Sequence, residues 1–230
     1  MLTITIRFLG EFMSTSTDWS IGEVLKTASE KQVGFKLSFF VPFIIYAAIT
    51  SALYLVQVAS VGTGDDVAAS LVELLFSIIT LPLGVGLGLL GIRRAAGKAT
   101  PVTTLWEPYA YAIPIIVMYI LMVVLIAAGF LLLVLPGIYL SVAYSFAPYL
   151  ILEKNMGVWE ALETSRKAIT AYWWRYFGLM LVLALLFIIG SIPLLNGLIW
   201  VIPIMVIATG EVFDKTFGNP ESEALTSDLE

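Results

Sequence analysis

Four hydroxyl side chains recur at three- and four-residue spacing in an apolar run: Ser141, Tyr144, Ser145 and Tyr149. On a helix that spacing puts them on one face. There they could line a small polar cavity or a lipid groove, or hydrogen-bond a neighbouring helix, at about 0.6 kcal/mol per contact in a membrane. Downstream, Arg166, Lys167 and Arg175 stand among Trp159, Trp173 and Trp174. Cations beside amphipathic rings have the chemistry of an interface belt that holds anionic lipid headgroups. A single carboxylate, Glu73, stands in a long apolar stretch, where burial is costly; it is the candidate contact for an ion or a partner. The 230 residues include no His and no Cys. Ser-His triads, His or Cys metal ligands, thiolate chemistry and disulfides are therefore excluded. No catalytic residue, metal site or cofactor is expected, and the chain does not read as an enzyme.

The elements that must position these residues are membrane helices. The chain is 60% hydrophobic and 13% charged, with mean hydropathy +0.97. Soluble domains are typically about 25% charged. Several apolar runs reach the roughly 20 residues that a bilayer crossing requires. The expected fold is an all-α membrane protein of six transmembrane helices arranged as three hairpins, each preceded by a short cytoplasmic interfacial amphipathic helix. Residues 1–19 read as an N-terminal leader, with the start at Met1 or Met13 left open. Residues 20–213 read as the membrane domain, with spans at about 36–61, 67–92, 113–135, 138–152, 174–194 and 198–213. Residues 214–230 read as an acidic disordered tail.

Local signals support these divisions. Ser20 to Glu23 fits the capping box that opens a helix. Val24, Leu25, Ala28, Gln32 and Phe35 follow on one face, and a helix is expected to end near Gly34. Gly62 to Asp66, Pro136-Gly137 and Asn196-Gly197 read as the three turns on the far side. Pro101 to Tyr111 is too polar and Pro-broken to span. Residues 158–172 alternate Trp159, Leu162 and Ile169 with charged positions at helical spacing, as an interfacial helix does. Gly84, Gly86, Gly88 and Gly91 let helix backbones approach closely.

All twelve Lys and Arg residues fall at one side of this layout: Arg7, Lys26, Lys31 and Lys36, then Arg93, Arg94 and Lys98, then Lys154, Arg166, Lys167 and Arg175, then Lys215. The excess of cations in cytoplasmic loops then places both termini in the cytoplasm, in a multi-pass protein of a bacterial inner membrane. Glu211 and Asp214 are expected to pair with Arg93, Arg94 or Arg175.

Two segments also align, Gly22-Glu-Val-Leu-Lys-Thr-Ala28 and Trp159-Glu-Ala-Leu-Glu-Thr-Ser165. Each precedes a hairpin by the same distance, and Pro101 to Tyr111 takes the equivalent place before the middle hairpin. The expected unit is a surface helix plus a hairpin, repeated three times.

Pro136, Gly137 and Tyr139, followed by Glu153 and Gly157, then Trp159-Glu-Ala-Leu162 with Ser165, then Trp174, Phe177 and Gly178, resemble a bacterial membrane family. It is the membrane-domain family named after glycerophosphoryl diester phosphodiesterases, with its YciC-like uncharacterised relatives. The resemblance covers about a third of the chain closely. It implies a membrane domain without assigned catalysis. The expected function is an accessory, assembly or scaffold subunit. Its partners would be membrane lipids and another membrane complex or a second copy, with no nucleic acid. A small transporter or channel for a small or lipidic substrate is the alternative.

Overall fold

The computed structural model describes residues 19–61, 66–192 and 197–218. All regular structure among them is helical. In order these are α1 (Ile21–Lys31), α2 (Lys36–Val61), α3 (Asp66–Ala95), a 3-10 helix (Val102–Tyr111), α4 (Ala112–Leu132), α5 (Val134–Ala143), α6 (Ala147–Lys154), α7 (Val158–Thr170), α8 (Trp173–Ser191) and α9 (Leu198–Phe217). Among the described residues, five stretches are long and apolar enough to cross a membrane: Lys36–Ser60, Val67–Ala95, Val102–Leu132, Val134–Lys154 and Trp173–Ser191. The expected sixth span, 198–213, is not among them, because the last turns of α9 carry Glu211, Asp214 and Lys215. That helix also runs on to Phe217, into the stretch expected as tail. Residues 1–18 of the expected leader and 219–230 of the tail lie outside the described residues, as do 62–65 and Asn196 of two expected turns.

Side-chain chemistry sets several boundaries. The Ser20 hydroxyl accepts the Glu23 amide at 3.1 Å and opens α1. Gly34, at φ +78°, turns the chain out of it; the left-handed region is open to glycine at little steric cost. Between Pro101 and Pro108 the chain winds as a 3-10 helix and not as an amphipathic α-helix, since proline removes an amide and clashes with the carbonyl four residues back.

The stretch expected as the middle hairpin departs from expectation at both ends. Its turn is at Leu133, which is extended (φ −164°, ψ 152°). Pro136 and Gly137 lie within the first turn of α5, where a missing amide is tolerated. The run expected as one span, 138–152, is broken at Tyr144–Phe146 into α5 and α6, just ahead of Pro148 in the first turn of α6.

Packing divides the chain into two units. One comprises Met1–Val33, Gly91–Ala99 and Ala171–Glu230. In its described part, α1 lies antiparallel along α9: Glu23 at one end of α1 pairs with Lys215, and Gln32 past the other end reaches Trp200. Ile21 meets Gly178 on α8, and the Trp19 and Tyr172 rings meet edge to face at 5.7 Å. The end of α3 crosses α9 where Gly91 and Gly210 bring the backbones together; a Cβ on Gly210 would sit 2.5 Å from the Gly91 carbonyl.

The other unit comprises Gly34–Leu90 and Thr100–Thr170. There the 3-10 helix lies along α3: Gly86 meets the Leu105 carbonyl and Tyr109 reaches Ile79. The helix α7 lies antiparallel along α5 and α6, with Ser165 at their break and Thr170 at Tyr139.

Candidate functional site

Three segments, residues 21–32, 102–109 and 158–170, share one burial register. Ala28, Thr104 and Ser165 are fully buried, and so are Val24 and Ala161. Gln32, Pro108 and Ile169 are buried one turn later. The interval from Ala28 to Ser165 is also the interval from Lys36 to Trp173, where α2 and α8 begin; the interval from Ala28 to Thr104 is that from Lys36 to Ala112, where α4 begins.

Each segment also donates one side-chain hydrogen bond to a carbonyl of a helix that proline interrupts. Tyr109 donates to Ile79 O at 2.6 Å, three residues before Pro82. Gln32 donates to Trp200 O at 2.8 Å, three residues before Pro203. Ser165 donates to Ala143 O at 2.7 Å and accepts the Phe146 amide at 3.3 Å, spanning the break before Pro148. Proline strips a helix of one donor and strains the preceding turn, and a buried carbonyl without a donor is costly. The carbonyls that Pro82 and Pro203 orphan are those of Ile78 and Ile199, so Tyr109 and Gln32 bond one residue past them, in the same strained turn.

The hydroxyl set expected on one face is separated by that break. Ser141 is exposed and donates to its own Ile138 carbonyl at 2.8 Å. Tyr144 is buried and lies in the break itself. Ser145 and Tyr149 are half-buried. The Tyr149 hydroxyl rests against Gly88, where a Cβ would displace it. The four do not form a continuous lining, because the helical spacing that would align them is interrupted at Tyr144–Phe146.

The expected belt falls in both units. On α7, Trp159 is exposed and Arg166 forks onto Glu163, with hydrogen bonds of 2.9 and 2.7 Å. Lys167 adds a contact to Glu163 at 3.4 Å. The Arg166 guanidinium, with Lys167 beside it, pulls the Glu163 carboxyl down to about 2. At the start of α8, Trp173 stacks on Phe177 at 4.9 Å and meets Trp174 edge-on; Trp174 and Arg175 are exposed. Glu73 is exposed on α3, flanked by exposed Leu71, Leu74 and Leu75.

The densest polar cluster among the described residues was not anticipated. Lys31 contacts the buried Glu211 carboxylate at 2.6 Å and donates to the Ala95 carbonyl. Arg94 donates to Lys31 O at 2.8 Å and to Val33 O at 2.7 Å. The sequence placed Glu211 with Arg93, Arg94 or Arg175; its neighbour is instead the lysine of α1. At the other end of α1 the Lys215 ammonium, 2.8 Å away, holds the Glu23 carboxyl below its ordinary value. Tyr172 donates to the Thr216 hydroxyl at 2.6 Å, and burial pushes its own hydroxyl up to about 12. The signal for this cluster was the pairing of opposite charges at the two ends of the chain, which a reading along the chain does not connect. Among the described residues no group of three or more His, Cys, Asp or Glu side chains converges in a way that could hold a metal ion.

Comparison with family models, curated proteins and solved structures returns no match.

Proposed function

We propose that this chain is a multi-pass protein of a bacterial inner membrane, built from three repeats of a pre-helix and a hairpin, and that it serves as an accessory, assembly or scaffold subunit. The observation that carries this reading is where polar side chains in the apolar helices are used. Thr50 donates to Tyr46 O, Thr80 to Phe76 O, Ser141 to Ile138 O, Ser191 to Phe187 O and Thr209 to Met205 O, at 2.7–2.9 Å. Each of these hydroxyls is taken up by its own helix, while Tyr109, Tyr139 and Ser165 tie the segments before the helices to the helices themselves. A transport path needs polar groups that converge on a shared space.

The helical rise from Glu73 to Arg93 is about 30 Å at 1.5 Å per residue, the thickness of a hydrocarbon core. On this reading Glu73 lies at the far boundary and Arg93 at the near one. With the cations gathered at one side, both termini are cytoplasmic. Trp159, Arg166 and Lys167 on α7, and Trp173, Trp174 and Arg175 on α8, face anionic headgroups from that side.

The break between α5 and α6 favours the second reading, a small transporter, because discontinuous helices form substrate sites in such proteins. Purification from native membranes and reconstitution separate the two. A stoichiometric membrane partner, with vesicles that move neither ions nor lipids, supports the subunit; solute or lipid flux by the isolated chain overturns it.

A further inference from the structure

The sharp turn between α4 and α5 stands apart among the described residues. From Ile120 to Ile138 no side chain is polar or charged. At the tip, Leu131, Leu132, Leu133, Val134 and Leu135 are consecutive and 62–88% exposed. A patch of this kind at the end of a hairpin is costly in water. By contrast, the stretch between α2 and α3 carries Thr63 and Asp65, and α3 opens on Asp66.

The tip holds its irregular backbone to one residue, with no side-chain cap on the first turn of α5. Irregular backbone exposed to lipid is excluded from the hydrocarbon because its amides and carbonyls go unpaired. Here only Leu133 stands between the two helices, and its amide bonds to Gly129 O at 3.1 Å. Pro136, in the first turn of α5, has no amide to orphan. Gly129 and Gly137 close the turn so tightly that a Cβ on Gly129 would lie 3.0 Å from the Gly137 nitrogen. The return helix α5 rises only about 15 Å at 1.5 Å per residue before its break at Tyr144.

We propose that the α4–α5 hairpin is re-entrant: it enters the bilayer from the cytoplasmic side and its tip, Leu131–Leu135, ends among lipid acyl chains without reaching the far-side water. The inference rests on the membrane reading above. It leaves the cation asymmetry and the shared side of the termini unchanged, because removing a whole hairpin does not alter the parity of crossings.

The absence of cysteine allows a direct test in the full chain in native membranes. Single-cysteine variants Leu133→Cys, Asp66→Cys and Ile120→Cys are treated with a membrane-impermeant maleimide applied from either face. Asp66→Cys reacts fast from one face. Leu133→Cys reacts at least tenfold more slowly from both faces, as slowly as Ile120→Cys, and all three react fully once unfolded in detergent. A nitroxide at Leu133→Cys is then relaxed by oxygen more than by a water-soluble nickel chelate. Labelling of Leu133→Cys at the Asp66→Cys rate, with Ile120→Cys still protected, overturns the re-entrant tip and leaves the membrane reading intact. Rapid labelling of Ile120→Cys as well overturns the membrane reading itself. A nitroxide shielded from oxygen and nickel alike means that protein covers the tip, which also overturns the proposal.

Discussion

Lys31 and Arg94 cap each other's helices. Lys31, in the last turn of α1, donates to the Ala95 carbonyl at the end of α3, and Arg94, in the last turn of α3, donates to the Lys31 and Val33 carbonyls at the end of α1. Two helix C-termini, each with unpaired carbonyls and a partial negative charge, are thus satisfied by a cation from the other. Lys31 also neutralises Glu211 on α9, so one side chain joins three helices.

Removing that cation is predicted to be among the most damaging single changes in this unit. Lys31→Met leaves the Glu211 carboxylate buried without its counter-charge. The expected loss is about 3 kcal/mol, the low end for a broken buried pair because Lys31 is itself partly exposed. Replacing both, as Lys31→Met with Glu211→Leu, recovers most of the loss. Unfolding midpoints of the three variants in one detergent form the double-mutant cycle. A double variant no better than Lys31→Met contradicts the pairing.

Gly84 and Gly86, on the same helix, give a matched pair. A Cβ on Gly84 meets nothing within 4 Å, whereas one on Gly86 drives into the Leu105 carbonyl. Gly84→Ala should therefore be neutral or stabilising by up to about 1 kcal/mol, the helix-propensity gain. Gly86→Ala should destabilise, because a neighbouring backbone cannot rotate away as a side-chain tip can. Comparing thermal midpoints of the two variants checks this; equal effects would show that the 3-10 helix does not lie against α3.

These residues also mark what the sequence could and could not reveal. Helix identity was legible from apolar length, and the limits of α2 and the opening of α1 at Ser20 followed from hydropathy and capping. The glycines of α3 announced close backbone approach but not what approaches. At Pro136-Gly137, turn chemistry pointed to the wrong residue, since proline in the first turn of a helix satisfies the same preference as proline in a loop. The hydroxyl face was read from periodicity, and periodicity cannot foresee a break held open by Ser165, a residue of another element. Charge pairs between chain ends, such as Glu23 with Lys215 and Lys31 with Glu211, exist only once the helices are packed. Five of the six expected spans stand out by length and composition; α9 does not, because its last turns carry the charges that meet Lys31 and Glu23.

Ser165 should be indispensable to the α5–α6 break. Ser165→Ala removes the donor to Ala143 O and the acceptor of the Phe146 amide, both buried, at an expected cost of about 1–3 kcal/mol. The effect should be local. Amide exchange should rise at Phe146 and its neighbours and remain unchanged in α1. Ser165→Thr, which keeps the hydroxyl but adds a methyl group to a fully buried position, should fall between wild type and alanine. An exchange pattern unchanged by Ser165→Ala would mean that the break is held by backbone alone.

The Glu163 cluster on α7 predicts an acid transition of defined sign. Its folded carboxyl titrates at about 2, against an ordinary value of 4.5, because Arg166 and Lys167 favour the charged form. A depressed carboxyl stabilises the folded state above its unfolded value, and that contribution is lost as the pH falls towards the folded value. The ion pairs on α7 should therefore be intact at and above about pH 5 and weaken between 4.5 and 2. The side chains are open to solvent, so each pair contributes only about 0.3–0.5 kcal/mol, and less in high salt. Glu163→Gln removes the titration without changing the shape of the side chain. Relative to the wild type, its thermal midpoint should be lower at pH 7 and should converge on it near pH 2. Midpoints that differ by the same amount at both ends of that range would show that Glu163 is not held by its two cations.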